Sequence, residues 1–179
     1  MLYTGKGDKG DTGLYGKEGR VSKASAITEA LGALDECNSF IGLCRAYVGE
    51  VESEIQMTNI LHDTQEHLFI VQAHLAGADK IIGKEKIKNL EEITDTIEKK
   101  LPPITTFTIT GNSQLSAMLD VTRTLVRKAE RRVVSVQDAE KNVHENVLSY
   151  LNRLSSLFFA LARYTEHIEG VTRESPTYE

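Results

Sequence analysis

Leu148-Ser149-Tyr150-Leu151-Asn152-Arg153-Leu154-Ser155-Ser156-Leu157-Phe158-Phe159-Ala160-Leu161 decides the fold class. Its large apolar residues Leu148, Leu151, Leu154, Leu157, Phe158 and Leu161 recur every three or four positions, the period of an α-helix and not the alternation of a strand. That pattern predicts a helix over about 145–169. The same spacing recurs upstream. Ile27, Leu31, Ala33, Leu34, Phe40 and Ile41 form a stripe on a first helix that starts near Ser25, and Ile60, Leu61, Leu68, Val71 and Leu75 one on a second, over about 52–78. A charged third helix covers roughly 86–101 and is stopped by Pro102-Pro103. A fourth runs from about Gln114 to near Val136, with Asn112 or Ser113 placed to cap it.

Between the third and fourth helices, Ile104-Thr105-Thr106-Phe107-Thr108-Ile109-Thr110 is β-branched and extended in character. The polar stretch 170–179 is expected to be a loose tail. The first 20 or so residues hold Gly5, Gly7, Gly10, Gly13, Gly16 and Gly19, six of the 13 glycines, and predict a loop or short hairpin. Five helices with short to moderate connections predict an all-α bundle.

Composition limits the functions open to such a bundle. A chain of 179 residues, 40% apolar with formal net charge −5, fits one globular domain and argues against a general nucleic-acid binder. No run approaches the roughly 18–20 apolar residues of a membrane span, and the start, Met1 to Asp8, lacks an apolar signal-peptide core. Cys37 and Cys44 lie seven apart on one helix, about 10 Å along its axis, too far to pair with each other. Two buried free thiols suit a reducing cytoplasm, with a reactive cysteine as the alternative.

Three groups of residues could carry chemistry. Gly5-x-Gly7-x-x-Gly10 has the spacing of a dinucleotide fingerprint, but Asp11 to Gly16 continues as loop where that fingerprint needs a helix. The spaced backbone N–H groups, Lys6, Lys9 and the hydroxyls of Thr4 and Thr12 remain able to cradle phosphate oxygens, and a mobile terminus explains the same composition. Arg123, Arg127 and Arg131, at i, i+4 and i+8, line one helix face and suit a polyanion. A solvated face on which Glu130 pairs with neighbours is the plain alternative. Glu29, Asp35 and Glu36 sit among apolar residues of the first helix, available to Mg²⁺, to the arginine row or to solvent. A di-iron bundle is excluded because no histidine follows an acid by three residues, and His62-Asp63-Thr64-Gln65-Glu66-His67 is not the zinc-protease motif.

Five blocks in order resemble the PduO-type ATP:cob(I)alamin adenosyltransferases: Tyr3-Thr4-x-x-Gly7-Asp8-Lys9-Gly10-x-Thr12, Arg20-Val21-x-Lys23, Glu29 through Gly42, Arg123-Thr124-x-x-Arg127-x-Ala129-Glu130-Arg131-Arg132, and Tyr150-Leu151-Asn152-Arg153-Leu154-Ser155. The resemblance implies one domain over 1–179: an ATP-binding loop at 1–24, a five-helix bundle of ferritin-like, adenosyltransferase-like type at 25–169, and a tail at 170–179. It implies a cytoplasmic homotrimeric transferase with inter-subunit sites. The reaction moves the 5′-deoxyadenosyl group of ATP to cob(I)alamin cobalt and releases triphosphate. Mg²⁺, held mainly by the ATP phosphates, is required. A flavin reductase and an adenosylcobalamin-dependent enzyme are the implied partners.

By position, Thr4, Gly5, Gly7, Asp8, Lys9, Gly10 and Thr12 fall on the family's ATP loop and Lys23 on its phosphate-binding lysine. Arg127 falls on the polyphosphate arginine, with Glu130 and Asn152 also at nucleotide positions. Asp35 and Arg123 take the places of an inter-subunit ion pair beside the corrinoid, and Phe107 that of the aromatic ring displacing cobalamin's lower axial ligand. Three positions depart from the family pattern: Ser156, Asn112, which can adopt left-handed geometry and is expected to have a small effect, and Lys128. The competing function is a non-catalytic bundle that senses ATP or another polyphosphate.

Overall fold

In a computed structural model, residues 2–16, 18–48, 53–103, 105–140 and 142–178 are described. A two-strand hairpin leads into five helices. Strands β1 (Asp11–Thr12) and β2 (Val21–Ser22) pair antiparallel, with Asp11 opposite Ser22 and Thr12 opposite Val21. The helices are α1 (Ala26–Val48), α2 (Met57–Leu75), α3 (Lys84–Glu98), α4 (Gln114–Glu140) and α5 (Glu145–Ile168). The second begins five residues later than its periodicity suggests, and the expected start at Glu52 lies outside the described residues. The fourth runs four residues beyond Val136.

α5 is the centre of the bundle. From Ala160 through Glu166 every side chain is buried, so the helix has no solvent face there. Leu151, Leu154, Leu157 and Phe158 are fully buried, each contributing about 1.5–3 kcal/mol of apolar transfer. α4 packs on both α1 and α5, α2 lies against α1, and α3 lies against α5. Cross-links give the directions. Cys44 meets Thr122 at 3.3 Å while Glu29 meets Arg132 at 3.5 Å, so α1 and α4 are antiparallel. Asn152 meets Glu130 at 3.2 Å and Arg163 meets Asp120, so α4 and α5 are antiparallel as well. The hairpin is tied to the start of α1 by Thr28 Oγ1, which donates to the carbonyls of Ser22 and Lys23. The loop therefore sits at the end of the bundle that holds Arg132, and Asp120 lies toward the other end.

The caps follow the local chemistry. Ser113 Oγ accepts from Ser116 N at 3.3 Å, while Ser116 Oγ accepts from Ser113 N at 3.1 Å, a reciprocal closure of the start of α4. Ser113, not Asn112, is the cap. Nor is Asn112 left-handed: the turn is made by Gly111 at φ +101°, and Asn112 Nδ2 instead donates to the Ile109 carbonyl and to Glu166 Oε1. At the far end of α5, Val171 N reaches the Glu166 carbonyl and Gly170 N the His167 carbonyl, with Gly170 at φ +64°. This is a Schellman closure, which needs the left-handed residue that glycine supplies at least cost.

That closure overturns the expectation of a loose tail. It turns the chain back onto the bundle, where Ile109 N donates to the Glu174 carbonyl at 2.8 Å and the Thr106 and Ser175 hydroxyls meet at 3.1 Å. Arg173 also pairs with buried Glu166 at 3.1 Å. The segment 105–110 forms no regular strand, since a single backbone bond to the tail is too little for a ladder; Ile104 lies outside the described residues. Cys37 and Cys44 are buried and free. Burial pushes the Cys37 thiol up to about 12, so it stays protonated and inert in place of the reactive alternative.

Candidate active site

The glycine-rich loop folds back on the second strand. Arg20 reaches across it from one guanidinium nitrogen to the Lys6 carbonyl (2.8 Å), the Asp11 carbonyl (2.9 Å) and Asp11 Oδ1 (2.8 Å). Hydrogen bonding to Arg20 holds the Asp11 carboxyl below its ordinary value. Asp8 N donates to the Gly5 carbonyl, Gly10 N to the Gly7 carbonyl and Lys23 N to the Gly10 carbonyl. Lys23 Nζ donates to the Gly7 carbonyl at 2.9 Å. Thr4, Gly5, Gly7, Asp8, Lys9, Gly10, Thr12 and Lys23 are thus collected into one small turn-rich unit. Arg20 is the clamp that motif reading left without a role, although its place in the same short block as Lys23 marked it as a neighbour of the loop.

The second part of the site runs along α4 and α5. A furrow of about 320 Å³ is lined by Arg123 and Arg127 from α4, Thr94 and Glu98 from α3, and Ser155, Ser156 and Phe159 from α5. A second hollow of about 460 Å³, sharing Arg123 and Phe159, continues it under the 105–110 segment and includes Phe107, Asp120 and Arg163. Phe107 is 79% exposed, so its ring is not part of the core. Among the described residues Arg127 makes no ion pair within the chain. Two other cations of α4 are committed to α1: Lys128 to Glu36 at 2.6 Å and Arg132 to Glu29 at 3.5 Å. The acids of α1 therefore neutralise the neighbouring stripe, and the row of Arg123, Arg127 and Arg131 stays clear of them.

Glu130 and Asn152 meet, with Asn152 Nδ2 donating to Glu130 Oε1 at 3.2 Å. Asp35 and Arg123 do not meet within the chain. Asp35 is exposed on α1, while Arg123 Nε lies 3.7 Å from Asp120 Oδ1. Among the described residues no hydrogen bond or ion pair joins the loop to the arginine furrow. One chain thus carries a glycine-rich turn closed by Lys23 and, apart from it, a furrow lined by arginines that continues toward an exposed aromatic ring.

Sequence reasoning missed a charged cluster beneath the second hollow. Arg163 and Glu166 are fully buried and Asp120 nearly so. Arg163 pairs with Asp120 and, at 3.2 Å, with Glu166 Oε1, and donates to Thr108 Oγ1 at 2.7 Å. Burial pushes the Asp120 carboxyl up, opposed by Arg163 and Arg123 beside it. A signal was available. An arginine and a glutamate three apart, inside a helix apolar on every side, must either end the core or pair within it.

The model of the family described as cobalamin adenosyltransferase matches residues 2–165. A corrinoid adenosyltransferase of Bacillus subtilis is 40% identical over 174 residues, covering 95% of this chain and 89% of the relative. The corrinoid adenosyltransferase PduO of Citrobacter freundii is 36% identical over 93% of this chain, which spans only 50% of that longer protein. Among solved structures, a variant PduO-type ATP:corrinoid adenosyltransferase from Lactobacillus reuteri complexed with cobalamin and ATP superposes with a TM-score of 0.89. It is 31% identical, with 99% of this chain and 97% of that chain covered. Identity at this level along almost the whole length, with the same arrangement of helices, shows that the chain belongs to the cobalamin adenosyltransferase family.

Proposed function

We propose that this protein transfers the 5′-deoxyadenosyl group of ATP to the cobalt of cob(I)alamin, giving adenosylcobalamin and triphosphate. The observation that carries the reading is the furrow itself, where Arg127 makes no ion pair among the described residues and Phe107 stands exposed along the same surface. Cob(I)alamin is the nucleophile: its metal-centred electron pair forms the Co–C5′ bond as the C5′–O bond breaks and leaves with the triphosphate. No protein nucleophile or general base is needed, and what the chain supplies is position and electrostatics. Arg127 faces the charge growing on the leaving oxygens. Lys23 and the loop amides of Gly5 to Gly10 take the remaining phosphates, and Glu130 with Asn152 orients the nucleotide.

Phe107 occupies the lower face of the corrinoid and keeps the axial ligand away, which makes the cobalt easier to reduce. Asp35 of one subunit meets Arg123 of the next in a homotrimer, consistent with their separation inside one chain. Among the described residues no group of three or more acidic, histidine or cysteine side chains suits a resident metal. Mg²⁺ arrives with ATP, coordinated mainly by its phosphates. The protein works as one domain, with the loop at 1–24, the bundle at 25–169 and the tail at 170–179. Its location is the cytoplasm, consistent with two buried free thiols; among the described residues no helix is long and apolar enough to cross a membrane. A flavin reductase supplies the reduced corrinoid, and an adenosylcobalamin-dependent enzyme receives the product.

Incubation with Mg-ATP and chemically reduced cobalamin tests the reading. The corrinoid spectrum should change to that of the alkylated product, with one triphosphate released per corrinoid. ATP binding without a spectral change would instead identify a polyphosphate sensor.

A further inference from the structure

The buried cluster of Arg163, Asp120 and Glu166 is not explained by stability. A buried ion pair roughly breaks even against apolar replacements of similar volume, so the core of α5 gains little from it. Its hydrogen bonds point instead to one surface segment. Arg163, fully buried, is held by Asp120 and Glu166 and extends its other terminal nitrogen 2.7 Å to Thr108 Oγ1, the residue next to Phe107. Among the described residues this is the only side-chain hydrogen bond from a helix to residues 105–110; Thr106 and Ile109 are tied to the tail, and Ile109 also to Asn112, which in turn holds Glu166. Asp120 Oδ1, facing Arg123 Nε at 3.7 Å, is buried and makes no hydrogen bond. One carboxylate therefore holds Arg163 through one oxygen and faces Arg123 with the other.

We propose that Arg163 is a positioning residue for the corrinoid-facing aromatic: through Thr108 it fixes the height of Phe107 over the furrow, with Asp120 and Glu166 fixing Arg163 in turn. The function of that height rests on the role proposed for Phe107 above. A segment without ladder bonds would otherwise let the ring drift, and a ring that drifts cannot exclude an axial ligand.

The test uses Thr108→Val, which keeps the shape and removes the acceptor, and Thr108→Ser, which restores it. In the ligand-free protein, exchange of the Ile109 amide, the one backbone donor of the segment among the described residues, should quicken about tenfold in Thr108→Val, the loss of one charge-assisted bond, and return near wild type in Thr108→Ser. Unchanged exchange in Thr108→Val overturns the proposal. Turnover should fall about tenfold with cob(II)alamin and a reduced flavin, yet stay within about twofold with chemically pre-reduced cob(I)alamin. Equal losses in the two assays would mean a merely structural bond and also overturn it. Phe107→Ala is measured alongside and should show the same selective loss more strongly. If it does not, the axial role of Phe107 fails, while the exchange result still decides whether Arg163 holds the segment.

Discussion

Lys23 Nζ closes the glycine-rich loop onto the Gly7 carbonyl at 2.9 Å, and a Cβ at Gly7 would lie 2.9 Å from that same ammonium and 3.3 Å from the Asp11 carbonyl oxygen. The glycine is there for room, not for backbone freedom. In the proposed nucleotide site a phosphate oxygen replaces that carbonyl as the partner of the ammonium. Gly7→Ala should displace Lys23 and raise KM for ATP about tenfold, the worth of one charge-assisted contact. KM for the corrinoid should stay within about twofold. Steady-state kinetics with each substrate varied in turn decides it, and a parallel rise in both constants would mean the loop acts on the whole fold.

Arg127→Ala should lower kcat/KM about 100-fold with little effect on ATP affinity, because its proposed partner gains charge only as the C5′–O bond breaks. The folded state should tolerate the change, since Arg127 is exposed and free of intramolecular ion pairs among the described residues. ATP titration combined with single-turnover rates separates the two effects. A loss confined to ATP affinity would place Arg127 in ground-state binding.

Asp35 and Arg123 face different surroundings within one chain, so an inter-subunit pair makes a specific energetic claim. Asp35→Asn and Arg123→Ala should each weaken corrinoid use, and the double variant should lose less than their sum, with a coupling of about 0.5–3 kcal/mol. Strict additivity would assign the two residues to unrelated contacts.

His67 gives the fold a pH dependence of known sign. It is half-buried, with Nδ1 3.1 Å from the Tyr150 hydroxyl, and burial, reinforced by Lys86 against the acids Asp63, Glu85 and Glu66, holds its pKa below the ordinary value. Between the folded and unfolded values the unfolded chain binds more protons. Its contribution is therefore complete above about pH 6.5 and declines as pH falls from there toward the lowered value. Urea midpoints measured across that window should fall less steeply with acid in His67→Gln than in the wild type.

The helices and their order were legible because apolar spacing is a local property, and α5 declared itself through Leu148 to Leu161. The family was legible from motifs that follow one another in its order, and the loop from its glycine spacing. What escaped was non-local. The docking of the tail depends on Glu174 meeting Ile109 and Arg173 meeting Glu166, pairs whose partners are set by the turn at Gly170. Likewise the bond from Arg163 to Thr108 joins residues 55 apart that share no periodicity. A polar ten-residue ending looks the same in sequence whether it waves in solvent or closes over a buried glutamate.

The separation of loop and furrow inside a single polypeptide also has a genetic meaning. If a working centre takes its turn from one chain and its arginines from the next, damage to Lys23 and damage to Arg127 fall on different contributions. Two inactive variants, each defective in one half, would then form some intact centres when mixed and reassembled, where two lesions in the same half could form none. Loss-of-function alleles of such a protein would sort into two groups that rescue each other, and the boundary between the groups would trace which residues face a neighbour.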